Sequence, residues 1–258
     1  MTVSLTIEDR GVAQLSLARP DKHNALTGPM IADLTRYAQD IAANPDIRAV
    51  VLSGQGESFC AGGDLRWLVE QISGEASTRH AGIAALADML WALNEIPQPV
   101  IGRVQGNAFG TGVALMSICD IVVGIETANF GITETKLGIT PGALGPFIVA
   151  RIGMANARRT FLSSHLFDAQ AAQNMGLLSK IVSADDLDAA IAQEIAEVLS
   201  CAPQAAAATK AQLRSLAPQI TRQIVDQSVT ATIKDWDNPE TANGIAAFFA
   251  KQSPPWVK

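Results

Sequence analysis

Two glycine-rich stretches in this chain each follow a strand-like apolar run. Residues 50–54 (VVLSG) lead to residues 59–65 (FCAGGDL), and residues 99–101 (PVI) lead to residues 106–112 (GNAFGTG). Glycine permits a positive φ, so each stretch alone predicts a corner between a strand and a helix. If both corners open helices, each directs a backbone N–H at one point, and two converging N–H groups stabilise a carbonyl oxygen that gains charge. The pair therefore indicates chemistry at a carbonyl group.

A third stretch, residues 128–142 (ANFGITETKLGITPG), places one carboxylate among apolar and glycine residues. Without its flanking residues, Glu134 would be interpreted as an ordinary surface glutamate. In this setting it has the surroundings expected of a general acid or base.

The three stretches, preceded by residues 19–26 (RPDKHNAL), resemble in order and spacing the crotonase superfamily of enoyl-CoA hydratases and isomerases over nearly the whole chain. The resemblance implies an α/β fold, a spiral of stacked ββα units followed by a C-terminal helical region. It divides the chain into a spiral core, residues 1–195, and a helical oligomerisation region, residues 196–258. Homotrimers, often paired as hexamers, are expected.

The resemblance also assigns a site for an acyl-CoA thioester. The backbone N–H groups of Gly63 and Thr111 are the expected oxyanion donors, and Glu134 is the expected acid/base. The residues expected to bind the substrate are Lys22, Ala61, Gly63, Asp64, Leu65, Arg66 and Gly142. Asp64 has a second interpretation, which we prefer, as the cap of the helix that follows it.

Two residues depart from the family pattern. Thr111 stands where the family has the middle glycine of three, and a β-branched residue there would be strained if the backbone required a positive φ. Ala114 stands where many hydratases carry the first of two glutamates. With Glu134 alone, the residues do not separate hydration of a 2,3 double bond from its isomerisation. A non-catalytic acyl-CoA-binding protein and an RNA-binding relative are alternatives from other classes.

Several later stretches resemble the glutaconyl-CoA type of hydratase, for which the substrates are isohexenylglutaconyl-CoA and methylglutaconyl-CoA. These stretches are residues 145–159 (GPFIVARIGMANARR), residues 201–210 (CAPQAAAATK) and residues 248–256 (FFAKQSPPW). Because such substrates carry a distal carboxylate, we expect a basic partner in the acyl pocket, with Arg66, Lys136 and Arg151 as candidates.

Composition excludes several classes of function. The 258 residues are 48% hydrophobic and 17% charged, which suits a large globular core. The net charge of −6 and the absence of a Lys/Arg-rich run argue against nucleic acid as a partner. No apolar run is long enough for a membrane span and no signal peptide is recognisable, so a cytoplasmic location is expected.

Cofactor and metal motifs are not found in the sequence. The three cysteines Cys60, Cys119 and Cys201 are widely separated, which favours reduced, packed thiols over disulfides or a metal site. No dinucleotide fingerprint, Walker A loop, GxSxG elbow or HExxH pair is present. We therefore expect no cofactor and no metal, with coenzyme A entering as part of the substrate.

Hydrophobic periodicity predicts a hairpin followed by alternating strands and helices. Asp168 and Gly176 are expected to cap the two ends of one short helix. Strands are predicted at residues 3–8, 12–17, 49–53, 100–104, 121–124 and 178–182. Helices are predicted along the stripe 26–41, at 83–94 after a polar stretch 73–80, after Gly112, and at 187–199, 204–216, 222–236 and 240–250.

Overall fold

The computed structural model describes residues 2–216 and 219–258. The strands are β1 (Val3–Ile7), β2 (Val12–Leu17), β3 (Ala49–Gly54), β4 (Ser58–Cys60), β5 (Val100–Val104), β6 (Asn107–Phe109), β7 (Ile121–Ile125), β8 (Asn129–Gly131), β9 (Phe167–Asp168) and β10 (Lys180–Val182). The α-helices are α1 (Gly28–Ala43), α2 (Leu65–Ser73), α3 (Ala76–Asn94), α4 (Thr111–Ser117), α5 (Gly145–Ser163), α6 (Ala169–Asn174), α7 (Leu187–Ser200), α8 (Pro203–Leu216), α9 (Arg222–Asp235) and α10 (Pro239–Ala250).

The chain follows a spiral, and the strands of its successive turns form two sheets. The first sheet has the order β1-β2-β3-β5-β7-β10, and the second has the order β4-β6-β8-β9. All neighbours are parallel except the β1–β2 and β8–β9 pairs. The pairs β3/β4, β5/β6 and β7/β8 each contribute one strand to each sheet, and helices follow each pair. This arrangement confirms the predicted fold of ββα units.

Burial explains why the first sheet and its helices form. The central strand β3 is buried along almost its whole length, as expected for a parallel strand covered on both faces. Helix α1 directs one stripe at the core, formed by Met30, Ile31, Leu34, Tyr37, Ala38 and Ile41. The periodicity of the sequence therefore reports this interface correctly.

Helix α3 begins earlier than the sequence predicted. Its buried side chains start at Ile83, but the helix itself begins at Ala76. Residues 76–82 are helical without contributing to the core, so they show no hydrophobic periodicity. The capping predictions are confirmed, because Asp168 Oδ1 accepts a hydrogen bond from Ala171 N at 2.8 Å and Gly176 has φ +78°.

The C-terminal helices follow the predicted bounds within one residue at each end. The predicted boundary at 195/196 lies inside α7. That the helices beyond it join subunits stays a prediction. Within the described residues, no helix combines the length and the apolar character that a bilayer crossing requires.

A buried asparagine fastens the turn at residues 19–26 to the strand β4. Asn24 is fully buried, and its Nδ2 donates to the carbonyl oxygens of Gln55 (2.9 Å), Ser58 (2.9 Å) and Phe59 (3.1 Å). Its Oδ1 accepts from Arg19 N at 2.9 Å. Asn24 also has φ +56°, which asparagine tolerates better than most residues.

Replacing Asn24 by alanine is expected to lower the free energy of unfolding by at least about 2 kcal/mol, because buried polar groups lose their partners. Urea denaturation followed by tryptophan fluorescence measures this change. The control is Asn174→Ala on the exposed side of α6, where a change within about 0.5 kcal/mol is expected. Equal stability of the two variants would contradict the prediction.

Candidate active site

The second sheet brings the three predicted stretches together. Its strands β4, β6 and β8 are parallel, with Cys60 beside Ala108 and Phe109 beside Gly131. The carboxyl ends of parallel strands meet at one edge of a sheet. The residues that follow these strands therefore lie side by side: Ala61–Asp64 after β4, Gly110–Thr111 after β6 and Ile132–Glu134 after β8.

The first turn is held by Leu26. Leu26 N donates to Gly62 O, and Asp64 N donates to Leu26 O, each at 2.8 Å. Gly63 lies between these two bonds, and no described residue accepts a hydrogen bond from its N–H. This N–H is thus available to a ligand.

Asp64 performs the capping role that the sequence analysis preferred. Its Oδ1 accepts from Arg66 N (2.9 Å) and from Trp67 N (3.4 Å), and its Oδ2 forms an ion pair with Arg19 at 2.7 Å. Burial acts to raise the pKa of Asp64, but the Arg19 guanidinium and these N–H groups outweigh it and lower the pKa. The carboxylate is therefore fully engaged in fixing the start of α2.

The second turn passes through Gly110, which has φ +50° and donates from its N to Gly131 O at 2.9 Å. Thr111 is the first residue of α4 and has no positive φ, so its branched side chain causes no backbone strain. No described residue accepts from the Thr111 N–H. A Cβ built on Gly62 would lie 3.7 Å from Thr111 N, which shows how closely the two turns approach each other.

Glu134 begins a short 3₁₀ turn, Glu134–Leu137, and its carboxyl group rests against Gly110. A Cβ built on Gly110 would lie only 2.2 Å from Glu134 Oε1, and the φ of +50° also favours glycine at this position. The residue as a whole is half-buried, but Oε2 is enclosed and has no hydrogen-bond partner in the part of the chain that the structure describes. Burial raises the pKa of Glu134 to about 7, against the opposing effect of the Thr133 and Glu134 N–H groups.

These groups border a cavity of about 510 Å³ with a mainly apolar wall. Of the predicted site residues, Ala61, Gly63, Leu65, Thr111 and Glu134 line it. Most of the remaining wall comes from α2 and α3 (Trp67, Leu68, Ile83, Leu86), from the chain before α5 (Leu137, Ile139, Pro141, Ala143, Leu144) and from α9 and the chain beyond it (Thr232, Trp236, Phe248).

Lys22, Asp64, Arg66 and Gly142 lie outside the cavity wall. Lys22 and Arg66 are exposed. Gly142 packs against α9, where a Cβ would lie 2.4 Å from Thr232 Oγ1. Its neighbours Pro141 and Ala143 line the cavity in its place.

The three basic candidates for the acyl pocket are separated by the structure. Lys136 lines the cavity and is the only Lys or Arg among its described wall residues. Arg66 does not reach the wall. The prediction for Arg151 is wrong, because its guanidinium donates to the carbonyl oxygens of Cys119 (3.1 Å) and Asp120 (3.4 Å), away from the cavity.

Ala114 and Cys60 lie near the site, and neither supplies a second acid, a base or a reactive thiol. Ala114 is fully buried in α4, so Glu134 is the only carboxyl group among the described residues of the wall. Cys60 is buried near the first turn, and burial raises the pKa of its thiol to about 12, which keeps it protonated. In the described part of the chain, no group of three or more His, Cys, Asp or Glu side chains could hold a metal ion.

Sequence reasoning missed the aromatic part of the wall. Trp67, Trp236 and Phe248 line the cavity but are not among the predicted site residues. Trp67 lies more than 150 positions before Trp236 and Phe248 in the chain, so it meets them only in the folded protein. The one usable signal was the position of Trp67, one turn into the helix that follows Gly63.

Comparison with known proteins agrees with this geometry. The family model described as enoyl-CoA hydratase/isomerase matches residues 8–258. The enoyl-CoA hydratase ACTT6 of Alternaria alternata is 32% identical, over 94% of this chain and 80% of its own. The crystal structure of an enoyl-CoA hydratase from Shewanella pealeana is 34% identical with a TM-score of 0.81, covering 99% of this chain and 96% of its own.

A second solved structure, an enoyl-CoA hydratase from Mycobacterium avium, is 27% identical with a TM-score of 0.85 and covers 99% of each chain. The likeness therefore extends over both the spiral and the C-terminal helices. Sequence, fold and the placement of the two glycine turns lead to one assignment. The chain belongs to the enoyl-CoA hydratase/isomerase family of the crotonase superfamily.

Proposed function

We propose that the chain is an enoyl-CoA hydratase that adds water across the 2,3 double bond of an enoyl-CoA thioester. The observation that carries the proposal is the position of the Glu134 carboxyl group. It rests on Gly110, directly before the free N–H of Thr111, and opens on the same apolar cavity as Gly63. The thioester oxygen of a substrate, bound by the N–H groups of Gly63 and Thr111, would therefore lie close to a group that can transfer a proton.

The two N–H groups bind the thioester oxygen. Water adds at C3, the π electrons move toward the thioester, and the oxygen gains enolate charge that Gly63 and Thr111 stabilise. Glu134 takes a proton from the water and returns a proton to C2, so that one water molecule is consumed in full. A carboxyl group with a pKa near 7 suits both steps at neutral pH.

Isomerisation is the second candidate, and the burial of Ala114 favours it. With one carboxyl group in the described wall, a proton can move from C2 to C4 on Glu134 without any water being held or added. Relatives named as hydratases favour hydration. The direct assay below separates the two reactions.

For the substrate class, we propose a glutaconyl-type enoyl chain, with Lys136 as the partner of its distal carboxylate. One ammonium group in a mainly apolar wall suits a chain that carries both a carboxylate and an apolar branch. The homotrimeric or hexameric assembly and the cytoplasmic location remain predictions.

Glu134→Gln keeps the side-chain shape and removes proton transfer, so turnover is expected to fall about 100- to 10,000-fold with CoA-ester binding retained. Ultraviolet absorbance with 2-enoyl and 3-enoyl esters is the measurement. Loss of the conjugated band with wild type identifies hydration, and its appearance from 3-enoyl esters identifies isomerisation. Binding without any change identifies a non-catalytic binder, and near-normal turnover by the variant contradicts the mechanism.

The pH profile of kcat/KM should report the buried carboxyl group. Because the base acts deprotonated, the rate is expected to rise with pH and level off above about 7, the value to which burial raises the pKa of Glu134. Lys136 is the other charged side chain of the described wall. An inflection near the ordinary value of 4.5 would mean that the carboxyl group is hydrated in the working enzyme.

Lys136→Gln should reduce the preference for carboxylated over straight-chain enoyl-CoA esters by roughly tenfold, the effect of losing about 1.4 kcal/mol from a charge-assisted hydrogen bond. The preference is measured as a ratio of kcat/KM values. Lys234→Gln, on the exposed side of α9 and outside the cavity wall, is the control and should leave the ratio unchanged. Equal ratios in all three proteins would exclude Lys136 as the partner.

A further inference from the structure

The position of the Glu134 carboxyl group depends on the backbone of its own turn. Among the described residues, Oε2 has no hydrogen-bond partner, so no side chain anchors this oxygen. The turn Glu134–Leu137 is closed by Gly138, which has φ +69° and whose N–H donates to the carbonyl oxygens of Glu134 and Thr135. Any shift of this single turn moves the carboxyl group.

Helix α10 packs directly on this turn, backbone against backbone. A Cβ built on Gly138 would lie 2.5 Å from Glu240 O, and a Cβ built on Gly244 would lie 2.4 Å from Leu137 O. Both distances are far too short for any side chain. Glycine at both positions therefore lets the helix approach the catalytic turn as closely as two backbones can.

One side chain joins the two backbones at this contact. Thr241 is fully buried, and its Oγ1 donates to Gly138 O at 2.7 Å, with a longer contact to Asp235 O at 3.3 Å. A hydroxyl has a single proton, and the shorter contact is the better bond. The hydroxyl thus ties the end of the catalytic turn to the start of α10.

The opposite side of the turn is fixed by α5. Thr135 Oγ1 donates to Phe161 O at 2.8 Å and also contacts Ser164 Oγ. The turn is consequently held at two points, by α5 at Thr135 and by α10 at Gly138. Without the Thr241 hydroxyl, α10 would hold the turn by packing alone.

We propose that Thr241 is a positioning residue for Glu134, so that the C-terminal helix α10 takes part in catalysis within its own chain by holding the Glu134 turn. This inference rests on the proposed function, in which Glu134 transfers the proton. Thr241 itself is not among the described wall residues of the cavity and acts only through the turn.

The test compares Thr241→Val, which replaces the hydroxyl by a methyl group, with Thr241→Ser, which keeps it. In Thr241→Val, kcat is expected to fall about tenfold or more, since a misplacement of about 1 Å can cost roughly 100-fold. KM should stay within about twofold because the cavity wall is intact, and Thr241→Ser should restore most of kcat. Looser packing also admits water, which lowers the pKa of Glu134. The rise of kcat/KM with pH should therefore occur at lower pH than in wild type.

Thr35→Val is the control, because Thr35 Oγ1 donates to Ile31 O at 2.9 Å in α1, away from the site. If Thr241→Val does not fold, Thr241→Ala compared with Thr241→Ser isolates the hydroxyl. If the variants without the hydroxyl have the same kcat and the same pH profile as wild type, the proposal is overturned and the proposed function stays intact.

Failure of the proposed function gives a different result, namely no turnover of any ester by the wild-type chain. The positioning role is then decided by the titration of ¹³C-labelled glutamate, with Glu134→Gln identifying the resonance. A lower pKa of Glu134 in Thr241→Val than in wild type supports the role, and an identical titration overturns it.

Discussion

The arrangement of the site depends on the burial of one carboxyl group, that of Glu134. Removing a carboxylate from water is unfavourable, and the pKa of Glu134 near 7 reflects that cost. The group occupies the space that a side chain on residue 110 would take, since a Cβ on Gly110 would lie 2.2 Å from Oε1. The same glycine turns the chain into α4, whose first N–H donates to no described residue. The Glu134 carboxyl group and the N–H of Thr111 are therefore placed by a single backbone turn.

With one carboxyl group rather than two among the described wall residues, the placement of water becomes more demanding than the transfer of a proton. Proton transfer needs only a group whose pKa lies near the working pH, and Glu134 meets that condition. Holding a water molecule for addition at C3 is harder, because Ala114 offers no hydrogen bond and most of the wall is apolar. Glu134 must then orient the water as well as deprotonate it. The placement of water, rather than of the proton, distinguishes hydration from isomerisation in this site.

Much of the fold was predictable from the sequence because its signals are local. Burial of β3 and the stripe of α1 follow from short-range periodicity, and Asp168 caps α6 three residues away. The position of a site residue was predictable where its own short stretch carries the signal, as at Gly63 and at Glu134. It was not predictable where contacts with distant segments determine where a side chain points. Exposed helical residues 76–82 carry no periodicity, and Arg151 is directed away from the cavity by carbonyl groups of another segment.

Division of the chain into a catalytic core and a separate helical extension does not describe the cavity. Thr232 and Trp236 form part of its wall together with Ile83 and Leu86 of α3. An ion pair between Arg79 and Asp237, at 2.6 Å, ties α3 to the chain that follows α9. Apolar surface on α3 is thus covered by the C-terminal region of the same chain, which gives that region a direct part in shaping the cavity. Because α10 also contacts the Glu134 turn, the shape of the cavity and the placement of the carboxyl group are linked through one set of helices.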